Sequence, residues 1–298
     1  MNKGYLLIFL TAIISGVAIF INKFGVSVIN PYVFAWLKNI TVALLLTGGI
    51  ILFKDWKMLK LLTKKQWFLL LGIGLIGGAV PFLLFFKGLS LTLPAQGAFL
   101  HKTMFVFVAI FALVFLKEKI DKRFLVGGLL LILGSLFLLK KLSFTPNQGD
   151  LLILLATMLW AAENTLSKYV LRELQGRTVA WARMFFGAFF ILLFLLITGQ
   201  ASLVGQISLL QIGWVAVTSV FLFGYVTCWY SGLKLVPLHK AAAILLLGSP
   251  ITTMLSFVFG RVVSIQEVLS GLFIIFGVLL IMGFGYILKL TKIRYVRA

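Results

Sequence analysis

Long apolar runs separated by short polar breaks fill this chain. Runs of about twenty residues occupy 4–22, 32–53, 67–86, 95–116, 123–140, 149–168, 178–198, 210–231, 238–259 and 265–288. An α-helix rises ~1.5 Å per residue, so about twenty residues cross ~30 Å of hydrocarbon. The breaks carry turn or interface residues: Asn30-Pro31, Lys64-Lys65-Gln66, Pro94, Pro146-Asn147-Gln148-Gly149, Gln175-Gly176, Gln206 and Pro237. The pattern predicts an all-α membrane protein of ten transmembrane helices. The first run, Gly4 to Ile21, is longer than a signal-peptide core, and no small-x-small cleavage site follows it, so it reads as the first span.

The pattern also repeats. Gly4 aligns with Gly149, Lys23 with Lys168, Ala35-Trp36 with Ala180-Trp181, and Lys38 with Arg183. Further on, Gly88-Leu89 matches Gly232-Leu233, Pro94 matches Pro237, Gly128 matches Gly271 and Gly134 matches Gly277. Residues 1–142 and 147–290 thus read as two copies of a five-helix unit, followed by a basic tail at 291–298. An odd number of spans per copy turns the second copy upside down, as in many secondary transporters.

Charge supports that inversion. The loop after the second run carries Lys54, Lys57, Lys60, Lys64 and Lys65, while its partner after the seventh carries no Lys or Arg. The loop after the fourth carries Lys117, Lys119, Lys122 and Arg123, and its partner after the ninth only Arg261. Conversely, the loop after the first run is nearly neutral while its partner holds Lys168, Arg172 and Arg177. The positive-inside rule then places both termini in the cytoplasm of an inner-membrane protein.

Composition narrows the class. The 298 residues are 62% hydrophobic and 11% charged, with a mean hydropathy of +1.14; soluble domains carry about 25% charged residues. Net charge is +20, but its placement at span ends is explained by topology rather than by nucleic acid. The single cysteine, Cys228, lies in an apolar run, so no intramolecular disulfide forms, and no Cys/His spacing suggests a metal. No Walker A motif, nucleophile elbow or HExxH is present; nothing points to an enzyme or a cofactor.

Three segments carry a family likeness. They are Trp160-Ala161-Ala162-Glu163-Asn164-Thr165-Leu166-Ser167-Lys168, Ala180-Trp181-Ala182-Arg183, and Phe115-Leu116-Lys117-Glu118-Lys119-Ile120 followed by Gly127-Gly128 and Gly134. Together with the repeat they make the chain, over almost its whole length, resemble the EamA family of the drug/metabolite transporter superfamily. Arg261 stands where the family often has Glu, and Lys38 where Arg is usual. The resemblance implies a ten-helix exporter-type fold around a central cavity; it does not imply a substrate, since members handle amino acids, nucleosides, cofactors and drugs.

Ionisable groups inside a bilayer cost about 2.5–3.5 kcal/mol each on insertion scales, so they usually face a cavity or a partner. Lys38 and Arg183 sit at equivalent points about seven residues into their helices, either snorkelling to the interface or lining a cavity. His101 and Lys102 have only Ile244 and Leu245 as counterparts, and Glu163 and Asn164 only Ala18 and Ile19. These asymmetric residues, with Lys38 and Arg183, form the candidate substrate site. Glu163 and His101 are candidate proton carriers, and Glu163 can pair with Arg183, Lys102 or Lys38. Gln96, Trp36, Trp181, Trp160, Tyr225, Trp229, Tyr230 and Ser249-Pro250 can complete a pocket, although span-end aromatics are as readily an interfacial belt. Pro250 predicts a kink or hinge in the ninth helix, and the glycines read as packing contacts.

The inverted repeat and the missing Walker A motif predict a non-ATP secondary transporter, and the excess of embedded bases over one acid predicts an anionic substrate. Such a transporter would export small metabolites such as amino acids or other carboxylate-bearing compounds by alternating access, with proton coupling through Glu163. The alternatives are a broad-specificity drug, nucleoside or cofactor exporter, a channel, or a membrane subunit without transport. The expected partners are a small-molecule substrate and the lipid bilayer, with no nucleic acid; a homodimer stays open.

Overall fold

A computed structural model describes residues 3–26, 29–89, 91–92, 94–137 and 147–283. The basic tail and most of the connection between the halves, including Lys140 and Lys141, lie outside the described residues. So does the side chain of Gln96. Every regular element among the described residues is helical: α1 (Lys3–Val26), α2 (Pro31–Leu52), α3 (Trp56–Leu59), α4 (Lys64–Ile73), a π-helical turn (Gly74–Ala79), α5 (Val80–Leu89), α6 (Pro94–Lys102), α7 (Met104–Leu116), α8 (Lys122–Leu136), α9 (Gln148–Val170), α10 (Gly176–Ile197), a 3₁₀ turn (Gln200–Gln206), α11 (Leu209–Leu233), α12 (Leu238–Leu245), α13 (Gly248–Val258) and α14 (Ile265–Met282). Eight helical stretches are long and apolar enough to cross a bilayer. The remaining two sequence-predicted spans are α8, described for 15 residues, and α9, which is 23 residues long but carries Asp150, Glu163 and Lys168.

Local chemistry explains where helices begin. Thr63 and Gln66 form a capping box on α4, and Ser208 and Gln211 form the same box on α11, 145 positions later. Asp121 caps α8 and Ser264 caps α14. Asn30 accepts from the Tyr32 and Val33 backbone N–H groups, with Pro31 opening α2. The repeat therefore extends to the turn chemistry.

Packing is arranged across the halves rather than within them. α1 lies against α11, and α5 against α9; α2 lies against α10, and α8 against α14. The repeat's anchor glycines meet in equivalent pairs. A Cβ on Gly88 would touch Ile153 and the Gly149 carbonyl, and a Cβ on Gly232 would touch Ile8 and the Gly4 carbonyl. Gly277 abuts Gly127 and Leu131 as Gly134 abuts Ser270 and Ile274. Such close approach is what small residues permit between helices in lipid.

The matched helices run antiparallel. Asn30, before α2, bonds Gln200, after α10, while Arg177 at the start of α10 bonds Asp55, after α2, at 2.6 Å. Gly127 near the start of α8 meets Ile281 near the end of α14.

Two predicted spans are broken where one uninterrupted helix was expected. The chain leaves helix at Thr103 between α6 and α7, and again at Leu246–Leu247 between α12 and α13. Pro250 lacks the N–H that would bond the Leu246 carbonyl, and the break in the ninth span begins at Leu246. The proline stands in the first turn of α13, where its missing N–H costs little, and the break precedes it. The first half breaks at the matching point without a proline.

Candidate functional site

Glu163, Asn164 and Arg183 gather beside the π turn at the middle of α9, with His101 against Trp160, while Lys102 and Lys38 bond elsewhere. An extra residue in a helical turn disturbs the regular hydrogen-bond ladder, and such turns are frequent at functional sites. Here the Gly77 carbonyl accepts from Arg183 Nη2 at 3.0 Å and from Trp160 Nε1 at 3.1 Å, and the Gly78 carbonyl accepts from Asn39 Nδ2 at 2.9 Å. Glycine is needed at both positions. A Cβ on Gly77 would lie 2.3 Å from Glu163 Cγ, and one on Gly78 would lie 2.4 Å from the Arg183 carbonyl oxygen.

Glu163 is buried at 2% exposure. Its Oε1 accepts from Ser167 Oγ at 2.6 Å and from the Tyr230 hydroxyl at 2.7 Å, and its Oε2 faces Arg183 Nε at 3.9 Å. Arg183 is thus the ion partner of Glu163; Lys102 and Lys38, the other sequence-based choices, are not. Arg183 Nε makes no hydrogen bond, and the guanidinium lies 5.9 Å from the Phe82 ring. Asn164 joins the same layer, accepting from Trp229 Nε1 at 3.0 Å and donating to the Trp160 carbonyl.

The two lysines have neutral partners. Lys102 Nζ, at the end of α6, donates to Ser249 Oγ at 2.6 Å, so it bridges the broken helix of one half to the broken helix of the other. Lys38 Nζ donates to Asn22 Oδ1 at 2.8 Å and sits 5.0 Å over the Phe34 ring. All seven carboxylates of the sequence fall among the described residues, and none forms an ion pair with either lysine.

His101 packs into an aromatic box, with ring centroids 5.0 Å from Trp160 and 5.2 Å from Phe85; Phe82 adds a further edge to Trp160 at 5.3 Å. Its Nδ1 is buried without a hydrogen-bond partner. Trp181 instead donates to Thr47 and stacks on Phe185, away from this layer.

Sequence reasoning missed Asn22 and the π-turn carbonyls. Asn22 had a signal: it stands 145 positions before Ser167. The contact of Lys38 with Asn22 therefore mirrors that of Arg183 with the Glu163–Ser167 face, except that one version has an acid and the other has none.

An open cavity of about 480 Å³ lies elsewhere, where the loops after α7 and α11 meet the end of α9, lined by Glu118, Lys119, Lys168, Lys234 and His239 among others. Lys168 Nζ donates there to the Leu233 and Val236 carbonyls, and Lys234 Nζ to that of Leu174. The basic loops grouped by sequence thus meet at one end of the bundle, while the buried carboxylate layer does not open into this cavity.

Comparison with known proteins follows the same division of the chain. The sequence profile of the EamA-like transporter family matches residues 2–140 and again 147–283. An uncharacterized transporter of Bacillus subtilis, YyaM, is 27% identical over 221 residues, covering 71% of this chain and 72% of that protein. An uncharacterized transporter of Clostridium kluyveri is 26% identical over 294 residues, covering 93% of this chain and 92% of its own. A solved crystal structure at 15% identity superposes with a TM-score of 0.77 over 94% of this chain and 96% of that one, a likeness of fold.

Proposed function

The chain belongs to the EamA-like transporter family, and on that footing we propose a secondary transporter of small carboxylate-bearing metabolites, working by alternating access as an exporter. Its ten spans form two inverted five-helix halves, 1–142 and 147–290, in the inner membrane with both termini cytoplasmic. The exchange of packing partners between halves and the antiparallel runs of α2 with α10 and α8 with α14 support the inversion. The gathering of Lys117, Lys119, Lys168, Arg177 and Lys234 at one end supports the orientation.

The observation that carries the substrate class is Lys102. It sits at the break of one discontinuous helix and reaches Ser249 at the break of the other, with no carboxylate in ion-pair contact. Broken helices at matching points of two halves are where transporters of this construction bind substrate. An embedded cation without a counterion costs about 2.5–3.5 kcal/mol; a substrate carboxylate at ~4 Å returns about 4 kcal/mol at an effective dielectric near 20. Arg183, by contrast, already has Glu163.

Counterflow in proteoliposomes tests this. Lys102→Gln is expected to lower flux of amino or organic acids at least tenfold with little change in melting temperature. Transport of cationic dyes with none of carboxylates overturns the assignment.

Glu163 is the proposed proton carrier. Its Ser167 and Tyr230 contacts hold one oxygen while the other faces Arg183 without a close bond, so proton gain there releases the pair. Glu163→Gln is expected to flatten the pH dependence of flux; a profile identical to the parent's removes Glu163 from that role. The box of His101, Trp160, Phe85 and Phe82 favours a second reading, an exporter of flat aromatic compounds such as nucleosides or drugs, which saturable nucleoside competition would reveal.

A further inference from the structure

Glu118 stands outside the spans, in the short segment between α7 and α8, yet its carboxylate is spent entirely on the other half. Oε1 accepts the Leu238 backbone N–H at 2.8 Å; Oε2 accepts the His239 N–H at 3.2 Å and lies 2.5 Å from His239 Nδ1. These are the first residues of α12, whose early N–H groups have no partner inside the helix. Burial pushes the Glu118 carboxyl up, but the His239 ring and the two backbone donors outweigh it and hold it below the usual carboxylate range. A second ion pair, Lys240 to Asp121 at 3.9 Å, runs alongside but is more exposed.

The matching loop at the opposite end lacks this tie, although Thr92 donates to Asp150 across the halves there. The position matching Glu118 in the repeat carries Arg261, and Arg261 bonds Glu267 at 2.9 Å within its own half. Glu267 in turn completes the cap on α14 with Ser264. The loop after α7 is therefore fastened by its carboxylate to the start of α12 in the other half, whereas the ion pair of the matching loop stays within its own half. The basic cavity abuts the tie, since Glu118 and His239 both line it; water and ions reach the tie without opening the core.

We propose that Glu118 is a latch that closes the basic end, and that releasing it from Leu238 and His239 is the step that opens this end. Glu118 is a positioning residue: it acts through α12, and hence on the broken helix carrying Ser249, without touching substrate. This rests on the alternating-access reading above. Loss of the latch shifts the population toward a state open at the basic end and closed at the other.

Reciprocity separates a latch from a brace. In a Cys228→Ser background, single cysteines at Ala242 on α12 and Val33 at the start of α2 report the two ends; both parent side chains are buried. Adding Glu118→Gln is expected to raise the labelling rate of the first by an impermeant maleimide about tenfold and to lower that of the second, in purified protein in nanodiscs. His239→Leu, which removes one of three donors, gives the same pattern at smaller size. Unchanged rates, or a rise at both positions as a loosened fold would give, overturn the latch. Labelling requires no substrate, so this outcome is independent of which solutes are carried, whereas absent flux in the parent protein counts against the transport reading alone.

Discussion

Arg183→Met lowers the melting temperature of the purified protein by on the order of 10 °C, because Glu163 loses its counter-charge and must stay ionised in the core or take up a proton there. Removing one member of a buried pair costs about 3–5 kcal/mol, most of it the penalty of the stranded charge. Ser167 and the Tyr230 hydroxyl remain to satisfy Oε1, but nothing replaces the guanidinium at Oε2 or its bond to the Gly77 carbonyl. The double variant Arg183→Met with Glu163→Gln recovers most of the loss, since two neutral side chains no longer carry an unpaired charge. A single variant that melts within two degrees or so of the parent, or a double variant no better than the single, refutes the pairing. Arg183→Lys is not a conservative control: an ammonium cannot serve the Gly77 carbonyl and Glu163 from one rigid fork.

The second large effect comes from one added methyl group. Gly78→Ala places a Cβ 2.4 Å from the Arg183 carbonyl and 2.8 Å from Gly187 Cα, both backbone atoms that no rotamer change can move. Overpacking of this kind costs about 1–3 kcal/mol in soluble cores. Here it also pushes α10 off the π turn and shifts the anchor of Arg183, so flux falls to background. Gly48→Ala and Gly213→Ala, which meet nothing within 4 Å, are the controls; each is expected to be neutral or slightly stabilising, as Ala exceeds Gly in helix propensity by up to about 1 kcal/mol. Wild-type flux from Gly78→Ala in vesicles would show that the two helices do not need their close contact.

The repeat made the helices and their pairing legible, because the same residues had to solve the same packing problem twice. Gly4, Gly88, Gly149 and Gly232 hold equivalent positions in the repeat and meet in equivalent pairs. Charge made the two ends legible, because lysines after the second and fourth spans cannot be buried in lipid. Glu163 and Ser167 were readable as a pair because four residues along a helix share a face. The choice of Arg183 over Lys102 as the ion partner was not readable, since it depends on which helices pack.

The π turn was hidden for a related reason. Gly74, Gly77 and Gly78 read as packing residues, which they are, but hydrophobic periodicity carries no mark of one extra residue in a turn. Pro250 marks the broken span of the second half, since the break lies three to four residues before it, but the matching break at Thr103 has no proline to announce it. Asn22 is a short polar side chain near a helix end, and only the repeat spacing sets it opposite Ser167.

The exchange of partners between halves has a consequence for biosynthesis. α1, α2, α5 and α8 each find their main neighbour in the second half of the chain, in α11, α10, α9 and α14. As the ribosome delivers the first half, these helices enter lipid without the surfaces they are shaped to meet. The glycine-lined faces and the embedded Lys38 and Lys102 wait there until the second half arrives. The protein is in effect a dimer whose two subunits are synthesised in sequence, and the early one is the form most exposed to membrane quality control.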